Sequence, residues 1–186
     1  MSPPIEGLDK VSAQIKSLLD DGKKAKALDL LSKTYGETIY WHARRMVVVH
    51  EDAQDVLQET FIRIVRGIDS FKWESKLSSW IYRIAVNECL RMIENKNRRL
   101  QTQSLEDITK MITSSDYVDL GNDAAIKLQA AIQKLPNKQQ TVFTLRYYDN
   151  LSYDEIAEIT NSNAAAAKMN YHHAKEKILL TLKNSD

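Results

Sequence analysis

Apolar positions recur at steps of three and four along almost the whole chain, and no stretch alternates as a half-buried strand would. The pattern predicts a first helix from about Leu8 to Asp20 and a longer one from about Lys24 to Val49. Asp52 to Ile68 follows, with Leu57, Phe61, Ile64 and Ile68 on one stripe, and Gly67 with Asp69-Ser70 marking its end. Ser78 and Ser79 are expected to cap a fourth helix reaching about Asn97, with an apolar row of Ile81, Ile84, Ala85, Cys89 and Met92. Arg83, Asn87 and Arg91 stand four apart on another face, so the basic groups of this helix form a row.

Residues 101–122 break the periodicity. They are rich in Ser and Thr, acidic, and close with Gly121-Asn122, which reads as a linker with one short helical turn after Ser104. Helical spacing resumes from Ala124 to Lys134. Pro136 suits a first helical turn, and Asn137 to Tyr148 follows with Val142, Phe143 and Leu145 for burial. The turn Asp149-Asn150 then leads into Ser152-x-x-Glu155, a capping box in which each side chain satisfies an orphan amide at a helix start. That short helix carries Ile156, Ala157 and Ile159 and stops at Thr160–Asn163, after which a longer helix runs to about Leu182. A capped helix, a polar turn and a second, basic helix make a helix-turn-helix pattern. An inner row of Ala164, Ala167, Tyr171, Ala174 and Ile178 leaves Lys168, Met169, Asn170, His172, His173 and Lys175 facing outward. Lysines there can hold phosphates, and Asn170 can pair with an adenine edge. The fold class expected is all-α: two small helical domains joined by a flexible linker, the second containing the helix-turn-helix.

Composition narrows the class. At 186 residues the chain suits one ordinary domain or two small ones, and 43% hydrophobic with 27% charged residues is globular. No apolar run approaches the roughly 20 residues that cross a bilayer, so no membrane insertion is expected. The start lacks the basic and apolar segments of a secretion signal. The lone cysteine, Cys89, permits no internal disulfide, fits a reducing cytoplasm, and reads as buried filler.

Net charge is only +1, but its distribution is informative. Glu51, Asp52, Asp55 and Glu59 give residues 51–59 a charge of −4, whereas residues 71–100 carry +4, residues 101–122 carry −3 and residues from 161 onward carry +2. Such segregation suits a protein that presents different signs to different partners.

Two stretches together resemble the sigma factors of bacterial RNA polymerase, specifically the small extracytoplasmic-function branch. The first is Asp52-Ala53-Gln54-Asp55-Val56-Leu57-Gln58-Glu59-Thr60-Phe61, continued by Trp80 through Asn87 and the basic run Lys96-Asn97-Arg98-Arg99. The second comprises Leu135-Pro136, Leu145 through Tyr148, Leu151 through Ala157 and Lys168 through Ile178. The resemblance spans roughly residues 30–99 and 123–182. It implies an N-terminal helical extension over 1–25, a region 2 over 26–99, an acidic linker over 100–122 and a region 4 over 123–186. It implies core RNA polymerase, promoter DNA and an anti-sigma factor as partners, with cytoplasmic localisation.

By that resemblance, Asp52, Asp55, Gln58 and Glu59 bind the core polymerase. Spacing puts Asp52, Asp55 and Glu59 on one helix face, a negative stripe over the core positions Phe61 and Ile64. Phe71, Lys72, Lys76, Arg83, Asn87, Arg91, Arg98 and Arg99 are implied to read the melted minus-ten element, which needs an electropositive groove with aromatic walls. Trp80 is expected to pack in the core. Asn163, Lys168, Met169, Asn170, His172, His173 and Lys175 are implied to meet the minus-thirty-five duplex. Here the chain departs from the family: Asn163 and the run Ala164–Ala167 replace a hydroxyl and a larger aliphatic anchor, and Asn170 stands where arginine is common.

Enzyme readings find little support. No HExxH, CxxC or glycine-rich phosphate loop occurs, and adjacent His172 and His173 point about 100° apart on a helix. A carboxylate metal site at His50, Asp52, Asp55 and Glu59 lacks ligands from a second helix. No catalytic residue, metal or cofactor is assigned. A stand-alone helix-turn-helix regulator with a helical sensor or dimerisation domain explains 135–182 equally well, but gives the acidic stripe and the basic 71–99 segment no task.

Overall fold

The computed structural model describes residues 5–100, 105–114 and 123–184, and every regular element among them is helical. The first unit holds α1 (Ile5–Asp20), α2 (Lys24–Val47), α3 (His50–Gly67), a single 3-10 turn (Ile68–Ser70) and α4 (Leu77–Leu100). Ile15, Leu31, Tyr35, Ile39, Ile64, Ile68, Leu77, Ile81 and Ala85 close its main core. The helix before Lys24 packs on that core, its Ile15 fully buried there. Trp80 packs on this core as expected, and its ring comes so close to Gly67 that a Cβ there would lie 3.1 Å from it.

α2 ends at Val47, two residues before the sequence expectation. Val48 adopts φ +66°, a left-handed conformation costly for a β-branched residue. Burial holds it there: the side chain is fully enclosed with Ile108, Ile112 and Ala130. This tight corner lets α3 start at His50 and pack on α2.

Those partners correct a second expectation. In place of a single turn, the segment after Ser104 forms the ten-residue α5 (Leu105–Ser114), packed against the next helix. Ile108 and Ile112, four apart, are both buried, and each such side chain contributes about 1.5–3 kcal/mol on leaving water. Residues 101–104 and 115–122 of the expected linker lie outside the described residues.

The second unit comprises α6 (Asp123–Gln133), α7 (Asn137–Tyr147), α8 (Tyr153–Thr160) and α9 (Ala164–Lys183). Ala131, Ile132, Leu135, Phe143, Ala174 and Ile178 form its core. The capping box is present: the Ser152 hydroxyl accepts from the Glu155 amide at 3.2 Å, while the Glu155 carboxylate accepts from the Ser152 amide at 2.9 Å. Asn161 ends α8 with φ +51°, a conformation asparagine tolerates, which gives the turn its direction.

The two units touch. Tyr82 and Val86 of α4 share a buried cluster with Val142, Leu145, Leu151, Ile156, Ile159 and Ala167 of the second unit.

Candidate protein and nucleic-acid interfaces

The acidic stripe on α3 is only partly open. Asp55 and Gln58 are exposed and Glu59 half-exposed, but Asp52 is 7% exposed, which corrects the expectation of a surface carboxylate there. Asp52 falls in the first turn of α3 behind the strained corner, where a carboxylate complements the positive end of the helix dipole. Between α3 and α4 runs an open groove of about 420 Å³ whose lining includes Asp55, Gln58, Glu59, Glu88, Arg91 and Asn95. Glu88, 6% exposed, is clamped by Arg63 at 2.5 Å and Arg91 at 2.7 Å. The groove therefore has an acidic α3 wall and a mixed α4 wall.

That clamp also splits the expected basic row. Arg91 faces the α3 groove, whereas Arg83, two turns earlier, faces the second unit and donates to the Glu158 carbonyl at 2.6 Å. Asn87 is exposed between them. The side chains of Arg98 and Arg99 lie outside those described.

The loop before α4 is an aromatic corner with cations around it. Phe71 is half-buried, 5.0 Å from the rings of both Trp73 and Trp80, so it shapes a wall instead of offering an open face. Trp73 sits at φ +58°, a strained conformation for a bulky residue, with the Lys16 ammonium 5.6 Å over its ring. Lys72 is exposed. α4 starts at Leu77, so Ser79 is not its cap. The Ser79 hydroxyl instead donates to the Glu158 carboxylate at 2.8 Å, and Lys76 bonds Glu155 at 3.0 Å. Burial pushes the Glu155 carboxyl up, but the Ser152 amide and hydroxyl and the Lys76 ammonium outweigh it and hold it below the usual glutamate value.

A second set of polar contacts joins the units at the end of α2. His42 Nδ1 donates to Asp149 at 2.6 Å with both side chains fully buried, and Arg45 lies 3.6 Å from the other oxygen. The Arg45 guanidinium stacks 4.6 Å over the Tyr148 ring. Carbonyls left open where α2 ends receive glutamine amides: Arg45 O from Gln129 at 2.8 Å and Gln133 at 3.0 Å, Met46 O from Gln140 at 3.1 Å. Enclosure in this interface pushes the Tyr82 hydroxyl well above its ordinary value, with the Asp149 carboxylate adding to the effect. Sequence reasoning missed these contacts, because nothing local distinguishes Asp149 in a turn from any turn aspartate.

The outer face of α9 is open. Lys168, Met169, His172, His173 and Lys175 are exposed, and the inner row from Ala164 to Ile178 faces inward as expected. Phe143 stacks on Tyr147 at 5.1 Å and on Tyr171 at 5.6 Å, which fixes α9 against α7. Asn163 and Asn170, both expected to face DNA, bond the backbone of their own helix. The Asn163 side-chain oxygen accepts from the Ala166 amide as helix cap, and Asn170 is half-buried, donating to Ala166 O at 2.9 Å. His172 lies 3.3 Å from Glu176, which offsets positive charge at that point.

The sigma-70 region 2 family pattern matches residues 31–99, and the sigma-70 region 4 pattern matches residues 125–178. Over 160 residues the chain is 34% identical to the ECF RNA polymerase sigma factor SigW of Bacillus subtilis, covering 81% of this chain and 86% of that one. The chain belongs to the extracytoplasmic-function sigma factors. It is also 30% identical over 163 residues to the ECF sigma-E factor of Escherichia coli K12, covering 82% and 85% of the two chains. In fold it resembles CnrH, solved in complex with the cytosolic domain of CnrY, with a TM-score of 0.69 at 18% identity over 95% of this chain and 97% of that one. The sigma factor RpoE of Bartonella quintana, solved with the anti-sigma factor NepR, gives 0.61 at 21% identity over 79% and 91%. As a sigma factor the chain directs RNA polymerase to promoters and initiates transcription, and is not itself an enzyme. Among the described residues no helix is long and apolar enough to cross a membrane, and no cluster of His, Cys, Asp and Glu could hold a metal ion.

Proposed function

We propose that this sigma factor docks on core polymerase through Asp55, Gln58 and Glu59, with buried Asp52 holding the start of α3 behind them. The loop 71–76 and the α4 face bearing Arg83 and Asn87 then read the opened minus-ten strand, with Phe71 and Trp73 as walls and Lys72, Lys76 and Arg83 following the phosphates. Lys168, Met169, His172, His173 and Lys175 of α9 meet the minus-thirty-five duplex, Asn163 and Asn170 keeping that helix in shape. The working divisions are an N-terminal helix over 1–25, region 2 over 26–99, a linker over 100–122 and region 4 over 123–186. An anti-sigma factor is a further partner on this reading, since the structurally similar RpoE was solved bound to the anti-sigma factor NepR. Its place of action is the cytoplasm.

One observation carries the assignment: a single packed unit bears exposed carboxylates on α3 and exposed cations on the loop leading into α4. Opposed charges on neighbouring elements allow simultaneous contact with a basic protein surface and a DNA strand. The test is core-polymerase affinity of the double variant Asp55→Lys, Glu59→Lys, with helicity checked by circular dichroism. Affinity should fall at least about tenfold with helicity unchanged. Unchanged affinity would mean that the polymerase binds elsewhere.

A further inference from the structure

The first turns of α9, the end of a groove-bound helix that meets base edges, present an apolar strip where hydrogen-bonding readers would be expected. Between Ala164 and His173 the exposed side chains are Ala165, Lys168, Met169, His172 and His173. Asparagine reads adenine through paired bonds, but both asparagines here are engaged with the backbone. Oδ1 of Asn163 accepts from the Ala166 amide at 2.8 Å, and Nδ2 of Asn170 donates to the Ala166 carbonyl at 2.9 Å. His172 lies 3.3 Å from the Glu176 carboxylate. Lys168 and Lys175 are exposed point charges suited to phosphates. Ala165 and Met169, four apart, share one side of the helix, and Met169 is 60% exposed. Met169 stands about 200° around α9 from buried Ala167, so it points away from the core of its own unit.

We infer that α9 selects its duplex by thymine: Met169, with Ala165 one turn before it, packs on thymine methyl groups in the major groove. This reading of the face rests on the assignment of α9 to the minus-thirty-five duplex. The C5 methyl of thymine is the apolar group that base edges show in the major groove, and apolar side chains are what recognise it. Methionine suits the task, because its unbranched, polarisable side chain adapts to the irregular edge of stacked bases. The small residues Ala164, Ala165 and Ala166 hold nothing long between the helix backbone and the groove floor, so α9 can approach closely enough for methyl contact. Lys168 and Lys175 on either side supply affinity that is the same for every sequence. Specificity and affinity therefore fall to different side chains of one helix.

The test measures affinity of the holoenzyme for a duplex promoter fragment that it transcribes, with thymines of the upstream element replaced singly by deoxyuridine. Uracil keeps the base pair and its hydrogen-bonding edge and lacks only the methyl. At one thymine or more the native holoenzyme should lose about fourfold in affinity, the equivalent of about 0.8 kcal/mol for one buried methyl-sized group. At those positions Met169→Ala should bind the thymine and uracil fragments alike, and Met169→Leu should keep most of the discrimination. A native holoenzyme indifferent to uracil throughout the element would overturn thymine reading. So would a Met169→Ala holoenzyme that still discriminates, since the methyl would then act through the stiffness of the DNA. The assignment of α9 to the duplex fails separately, if the double variant Lys168→Ala, Lys175→Ala binds the thymine fragment with native affinity. Weakened binding by that variant together with indifference to uracil keeps the duplex contact and sinks the thymine contact alone.

Discussion

His42 of α2 and Asp149 of the α7–α8 turn, 107 residues apart in sequence, meet at 2.6 Å with both side chains fully buried. An ionised carboxylate only accepts, so Nδ1 carries the proton, and the contact joins region 2 to region 4 at a point water does not reach. Removing one partner leaves the other desolvated without compensation. Asp149→Ala should therefore lower stability by about 2 kcal/mol in urea unfolding, more than an exposed aspartate would. Unchanged stability would mean that the pair does not form in solution.

The Ser152 cap predicts a smaller loss. Ser152→Ala removes the acceptor of the Glu155 amide and a donor to its carboxylate, at a cost of about 1 kcal/mol. Thermal unfolding of the two chains side by side measures it, and equal midpoints would contradict the capping box.

Acid should undo the same corner. The Glu155 carboxyl titrates below its ordinary value in the folded chain, so its stabilising contribution is complete above that ordinary value. It is lost as pH falls through the lowered one, when proton uptake releases Lys76 and the Ser152 donors. The stability difference between the native chain and Glu155→Gln should shrink on acidification through that window. A difference constant with pH would contradict the assignment.

Cys89 lies fully buried on the apolar row of α4, and burial pushes its thiol far above the usual range, with Asp149 and Glu88 adding to the effect. In the native chain it should resist a thiol-reactive disulfide reagent at neutral pH and react stoichiometrically in denaturant. Rapid native reaction would place it at the surface.

Ile112 is fully buried between α5, α6 and the Val48 corner. Ile112→Ala should cost about 3 kcal/mol, as core truncations do, and should render the segment around α5 more sensitive to limited proteolysis. An unaffected chain would mean that α5 does not dock.

Much of the fold was legible because helix periodicity and caps are local. The stripe Leu57, Phe61, Ile64, the Ser152–Glu155 box and the inner row of α9 each follow from spacing alone. Misreadings arose where distant partners decide the outcome. Val48 bends the chain early because Ile108, Ile112 and Ala130 bury it, and α5 extends beyond one turn because it supplies two of those side chains. Asp52 is buried although its spacing puts it on the same helix face as exposed Asp55. The surfaces showed a similar division: Lys168, His172, His173 and Lys175 face outward on α9 as spacing predicts. The row Arg83, Asn87, Arg91 divides because Glu88 draws Arg91 to one side and Glu158 draws Arg83 to the other.

Single-round run-off transcription with core polymerase separates the two surfaces assigned to region 2. At limiting core, both Asp55→Lys, Glu59→Lys and Arg83→Ala should be defective. Raising core to saturation should restore the acidic-face variant, whose fault is docking, and leave Arg83→Ala defective, whose fault is the strand. Rescue of both variants by excess core, or of neither, would contradict the division of labour between α3 and α4.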